Sequence, residues 1–177
     1  AGLMSDKGRV FKAHFTINDN VHHCQLNEHF TTARRDNESL HHFILRLLGF
    51  CLFAYRHDLT LCDAREKPQR DVYAKNDFDD YELVIEVFTG DIKILNKLYR
   101  EAQQLYVITV LPVDSELQHW LLAHQRVELI AIENAFIARL EAMLARSLAW
   151  HVSVDSDEIS ITANDVFVRS ALQVSWF

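Results

Sequence analysis

A mixed α/β fold, with a central sheet flanked by helices and antiparallel strands appended at both ends, is what the hydrophobic pattern predicts. Three observations lead there. Residues 9–17 alternate apolar and polar side chains, the period-two signature of a half-buried strand. Residues 36–55 place apolar side chains at helical spacing. Beyond Leu59, short apolar strands alternate with amphipathic helices until two or three further strands close the chain. A chain of 177 residues, 49% hydrophobic, with four Gly and two Pro, suits a single domain over residues 5–177 with a sizeable core.

In the first strand Phe11, Ala13, Phe15 and Ile17 share one face. Asn18-Asp19-Asn20 predicts a turn, and a second strand over Val21–Arg34 completes a hairpin. Asp36 or Asn37 caps a helix that runs to Tyr55. Leu40, Phe43, Ile44, Leu47, Leu48, Cys51, Leu52 and Tyr55 line it, and Leu45, Phe50 and Phe53 widen the stripe until most sides are buried. Its polar strip is Glu38, His42 and Arg46, at successive i,i+4 steps. Strands follow at Leu59–Cys62, Asp71–Ala74 and Glu82–Val87, then a helix over Asp91–Gln103 and a strand over Leu105–Leu111. A short helix at Ser115–Leu122, a strand at Val127–Ile132 and a helix over Asn134–Leu148 come next. Strands at Ala149–Val154, Glu158–Thr162 and Val166–Trp176 finish the chain.

No apolar run is long enough to cross a membrane, and no N-terminal stretch reads as a signal peptide. The expectation is a cytoplasmic protein without a membrane partner. Cys24, Cys51 and Cys62 are odd in number and lack CxxC spacing, which predicts reduced thiols. The net charge of −7 disfavours non-specific nucleic-acid binding. It leaves room for a local basic face, or for an acidic site whose charge a metal offsets.

The chemistry-bearing pattern is an acidic hairpin. If Asp71–Ala74 pairs antiparallel with Glu82–Val87, the register that sets Lys75 opposite Glu82 sets Asp71 opposite Glu86. Carboxylates facing each other at about 4.5–5.5 Å between Cβ atoms repel and need solvent, a basic residue or a cation between them. Leu83, Ile85 and Val87 then pack on the core, and Glu82, Val84 and Glu86 share the opposite face. Such acids suit Mg²⁺, which takes one or two protein carboxylates and completes its shell with water and phosphate. A solvated strand face explains the same residues. The next helix carries Lys93, Lys97 and Arg100 as a basic stripe that could serve the acids, bind nucleic acid or simply face solvent.

Other signals are weaker. His22-His23-Cys24 lacks a second pair at zinc spacing. Adjacent His41 and His42 diverge by about 100° on a helix and cannot chelate together. Asp77-Phe78-Asp79-Asp80 starts like a calcium loop but lacks its glycine and closing glutamate, so it reads as a solvated hairpin tip. Glu38-His42-Arg46 fits either a polar network serving the hairpin or an internal salt bridge within a buried helix.

Taken in order, several segments resemble the bacterial YaeQ family. They are Val10-Phe11-Lys12-Ala13, Asn37-Glu38-Ser39 leading to Leu45-Arg46-Leu47-Leu48-Gly49-Phe50, Leu83-Val84-Ile85-Glu86, and the helix start Asp91-Ile92-Lys93. The resemblance implies a core of the PD-(D/E)XK restriction-endonuclease type, in αβββαβ order. It also implies a Mg²⁺-dependent phosphodiesterase acting on nucleic acid. Carried over, Asp71 takes the first-acid position and Glu86 the second, both as metal ligands, with Glu82 and Glu38 assisting. Two positions depart from the motif: Arg70 replaces its proline and Phe88 its lysine. Lys93 or Lys97 would have to supply the missing cation, orienting water or stabilising the pentacovalent phosphate. The alternative is a non-catalytic interaction protein that retains the scaffold.

Overall fold

The computed structural model describes residues 10–62, 65–67 and 69–176. The expected strand start at Arg9 and the domain residues 5–9 lie outside them. Within the described residues ten strands form one mixed sheet: β1 (Val10–Asp19), β2 (Cys24–Ala33), β3 (Thr60–Leu61), β4 (Val72–Lys75), β5 (Tyr81–Val87), β6 (Gln104–Leu111), β7 (Glu128–Glu133), β8 (Ser147–Val154), β9 (Glu158–Ala163) and β10 (Val166–Trp176). Among the described residues four helices accompany them: α1 (Leu40–Phe53), α2 (Ile92–Glu101), α3 (Ser115–Leu122) and α4 (Asn134–Ala142). The strand order is β2-β1-β8-β9-β10-β7-β6-β5-β4-β3. Parallel pairing joins β1 to β8, β5 to β6 and β6 to β7; the remaining pairs are antiparallel.

The sheet curls around α1. Every residue from Phe43 to Phe53 is buried. One core cluster joins this helix to inward side chains from both ends of the sheet, including Phe15, Trp150, Ile161, Ile132 and Ile85. Phe30 on edge strand β2 meets Phe50 of α1, and Leu61 on the opposite edge strand packs on the same core. A helix enclosed on so many sides must be apolar nearly all round. Gly49 lets α1 approach β5, since a Cβ there would lie 3.2 Å from Ile85 Cγ2. On the outer face, α2 and α3 cover β5–β7 through a second cluster that includes Val84, Leu95, Leu98, Leu105, Trp120 and Leu129. Among the described residues no helix is long and apolar enough to cross a membrane.

Several expectations are corrected. The first hairpin turns later than Asn18–Asn20: β1 runs to Asp19, which is buried and accepts hydrogen bonds from the Val21 and His22 amides. The helix is capped by Ser39, whose side chain accepts from His42 N, rather than by Asp36 or Asn37. The helix expected over Asn134–Leu148 stops at Ala142, because Ser147–Val154 is claimed by β8 between β1 and β9. A bulge at Ala74/Lys75 sets Lys75 opposite Tyr81 instead of Glu82. The face shared by Glu82, Val84 and Glu86 is no open solvated surface, since Val84 is fully buried under α2 and α3. The tip Asp77–Asp80 is exposed, as expected.

Gly49→Val should overpack the α1–β5 contact and cost about 1–3 kcal/mol. The midpoint of urea unfolding, with circular dichroism to check the native state, measures this.

Candidate functional site

Asp71 ends the loop before β4, one step beyond the Val72–Ile85 pair, and so stands level with Glu86. Its amide donates to Glu86 Oε1 at 3.0 Å, and its Oδ2 accepts from Val87 N at 2.8 Å. The bulge that shifts Lys75 lies at the far end of the hairpin, so it leaves this end in register. Asp71 is 1% exposed. Its Oδ1 lies 2.8 Å from His42 Nε2 and accepts from Arg35 Nη1 at 3.0 Å.

Glu38 joins the same cluster from the turn before α1. It is buried, and Arg46 grips both of its oxygens: Nε donates to Oε2 at 2.9 Å and Nη2 to Oε1 at 3.0 Å. Arg35 N adds a bond to Oε1 at 3.1 Å, and His42 Nε2 stands 3.5 Å from Oε2. The helical i,i+4 step aligns His42 with Arg46, Glu38 joins them from the turn before α1 rather than from the helix, and the β2–α1 turn folds Arg35 back over the strip. Ligand atoms of Glu38, His42 and Asp71 lie within 4.8 Å of one another. The two sequence readings of this strip hold together: it is an internal salt bridge, and it also reaches the hairpin acids through His42.

The electrostatics follow from the packing. Burial works against the Asp71 carboxylate, but the His42 hydrogen bond and charge, the Val87 amide and Arg35 outweigh it and hold Asp71 below its ordinary value of 3.8. Burial and then the Asp71 charge push Glu86 well above its ordinary value of 4.5. Two neighbouring acids driven apart in this way mark a candidate functional site.

The cluster borders a cleft of about 390 Å³ lined by Arg34, Arg35, Glu38, His42, Lys67 and Thr89, among others. A neighbouring hollow of about 280 Å³ shares His42 and Thr89 and reaches Phe88, Thr109 and Val110. Both lie beyond the C-terminal ends of the parallel strands β5 and β6, a common ligand-binding position in α/β sheets.

Not every expected residue arrives. Glu82 is four residues from Glu86, about 13 Å along a strand, and it pairs with Arg56 at 2.9 Å. Lys93 and Lys97 are exposed on α2, and among the described residues neither forms an ion pair with Asp71 or Glu86. The cations at the acids are Arg35 and Arg46, while Arg70 influences Glu86 electrostatically and binds Glu101 at 2.5 Å. His42 was legible as part of the helical strip. Arg35 carried no signal, because its partner Asp71 lies 36 residues away.

Two outcomes test this network. Arg46→Met should leave Glu38 buried without its countercharge and cost about 3–5 kcal/mol in denaturant unfolding. Asp71→Asn should move the Glu86 midpoint down toward 4.5, because ionisation no longer opposes a neighbouring charge. Carboxyl-carbon NMR titration reads that shift. The signs also set the pH dependence of wild-type stability. Glu86 contributes fully below its ordinary value and loses that contribution as pH rises through its raised folded value. Asp71 contributes above 3.8 and loses that contribution as pH falls through its lowered one.

A family model described as YaeQ protein matches residues 4–172. The fold is similar to the crystal structure of YaeQ protein from Xanthomonas axonopodis pv. citri, at 19% identity and TM-score 0.83, with 96% of this chain and 98% of that one covered. It is also similar to YaeQ protein from Pseudomonas syringae, at 18% identity and TM-score 0.80, covering 95% and 96%. A comparison with curated proteins finds no match. These likenesses are to the fold; the match of the family model over almost the whole length places the chain in the YaeQ family.

Proposed function

We propose that the acidic cleft is a divalent-metal-dependent phosphodiester-hydrolysing site acting on nucleic acid. The observation that carries this reading is the Asp71–Glu86 pair, held level across β4 and β5 with opposed shifts in acidity. The element order supports it: α1, β3, β4, β5, α2, β6 follows the αβββαβ order of PD-(D/E)XK cores, with β3–β5 antiparallel and β6 parallel to β5. The ligand atoms that stand close enough to share an ion are those of Glu38, His42 and Asp71, and the two carboxylates among them are the hard donors that Mg²⁺ or Mn²⁺ takes; Glu86, held by the Asp71 amide, lies outside that set and would have to turn to join it. When bound, the cation would polarise a phosphoryl oxygen and acidify water. Arg34, Arg35 and Lys67 give the cleft the positive wall that a phosphate requires. Arg35, already against Asp71, stands closer to the task of the missing motif lysine than Lys93 or Lys97 does.

A second reading, a non-catalytic scaffold, is favoured by one observation. Both oxygens of Glu38 and of Asp71 already accept hydrogen bonds from Arg46, Arg35, His42 or Val87 N, so a cation must displace a donor. The two readings differ in solution. Hydrolysis predicts that Mn²⁺ raises the melting temperature of the wild type but not of Asp71→Asn. It also predicts metal-dependent cleavage of single- or double-stranded DNA or RNA that Glu86→Gln reduces at least about 100-fold, the scale of one lost electrostatic contact to the transition state. A wild type indifferent to Mn²⁺ and Mg²⁺ in both measurements would leave the scaffold reading.

A further inference from the structure

The curled sheet does not close on itself. Its terminal strands are β2 and β3, and among the described residues neither has a second strand partner. Between them opens a cavity of about 620 Å³. Glu28, Phe30 and Thr32 of β2 line one side, Leu61 of β3 and Cys62 the other, and Phe50 of α1 reaches it from inside the curl.

The free side of β2 is an open edge. In an antiparallel pair every second residue turns its N–H and C=O away from the neighbouring strand. Beyond β2 no strand of the described residues receives them. The Ala33 carbonyl, at the end of the strand, is taken by Arg46. Long edges are usually blunted by a proline, a bulge or lysines. Here ten consecutive residues pair with β1 in unbroken register, and none is proline or lysine.

One guard is present. Glu28 is the cross-strand partner of the buried Phe15, so its side chain lies on the inward face, between Leu26 and Phe30. Its charge is felt inside the curl, where it adds to burial in holding the Cys51 thiol above its ordinary value. Among the described residues Glu28 has neither a hydrogen bond nor an ion pair, and Arg65, also in the lining, is engaged elsewhere. An inward acid on an edge repels an ordinary apolar strand. It admits a strand that brings a cation to the opposing position. Leu26 and Phe30 are half-buried and pack on the core, so the positions two residues to either side of that cation favour apolar side chains.

We propose that the gap takes up an extended peptide as an added strand on β2, with a lysine or arginine facing Glu28 and apolar side chains two residues to either side. Main-chain bonds to the open edge supply affinity, and the inward row of Leu26, Glu28 and Phe30 supplies selectivity. The proposal does not rest on the hydrolytic reading.

Titration of the full chain with acetyl-TVTKTVT-amide, whose pattern reads the same in both strand directions, tests it by amide NMR. Saturable shifts and slowed amide exchange are expected over Glu28–Thr32. Acetyl-TVTETVT-amide should bind at least about fivefold more weakly, because like charges then stand opposite each other, and that comparison needs no variant to fold. Glu28→Lys, its fold checked by circular dichroism, should reverse the preference between the two peptides. Absence of saturable shifts up to roughly 1 mM peptide, equal binding of the two peptides, unchanged amide exchange in β2 at saturation, or a folded Glu28→Lys protein that keeps the wild-type preference would each overturn the proposal.

Discussion

The buried pairing of Arg46 with Glu38 is the interaction on which the rest of the site hangs. Arg46 is 1% exposed inside the curled sheet, and such a charge is tolerable only when fully paired. Its guanidinium takes both oxygens of Glu38 and also donates to the Ala33 and Cys62 carbonyls. That ties the end of β2, the start of α1 and the strand β3 region to one side chain. Glu38 in turn accepts from Arg35 N, which fixes the β2–α1 turn, and the Arg35 side chain reaches Asp71. The Asp71 amide then holds Glu86. Segments scattered from Ala33 to Glu86 are thus joined by hydrogen bonds that start from one arginine.

This network gives the acids their unequal characters. Like charges held side by side in a partly desolvated place cannot ionise equally. Asp71 receives His42, Arg35 and a backbone amide; Glu86 receives the Asp71 amide and the Asp71 charge. The difference comes from which side of the hairpin α1 covers. Metal binding and plain structural pairing would draw on these same groups, so the competition between a cation and Arg35 for Asp71 is the physical issue at this cleft.

The two ends of α1 differ in kind. At its N-terminal end the strands β5 and β6 finish against charged turns, and the cleft is polar. At its C-terminal end Leu52, Phe53 and Tyr55 meet Tyr106 of β6 and Ile130 of β7, and the hollow there is apolar and aromatic apart from His22, Asp155 and Ser156. These two hollows lie at the ends of the helix; the one of about 620 Å³ opens along its side at Phe50, between the edge strands β2 and β3.

The sequence by itself determined the elements and the acid pairing. Period-two alternation in β1, the wide apolar stripe of α1 and the spacing of Asp71 and Glu86 all depend on neighbours within a strand, helix or hairpin, and local geometry dictates those. It erred where tertiary contacts overrode local preference: the helix expected to reach Leu148 yields Ser147 onward to β8, where β1 and β9 supply partners for a strand. Only the tertiary structure decided which cations meet the acids. Lys93 and Lys97 are nearer to Glu86 in sequence, yet Arg35 and Arg46 hold Asp71 and Glu38, because the curl of the sheet folds the β2–α1 turn over the hairpin and leaves the lysines on the outer face of α2. The same curl brings Tyr106 of β6 against Phe53 at the end of α1, ring centroids 4.6 Å apart, a contact that no sequence periodicity encodes.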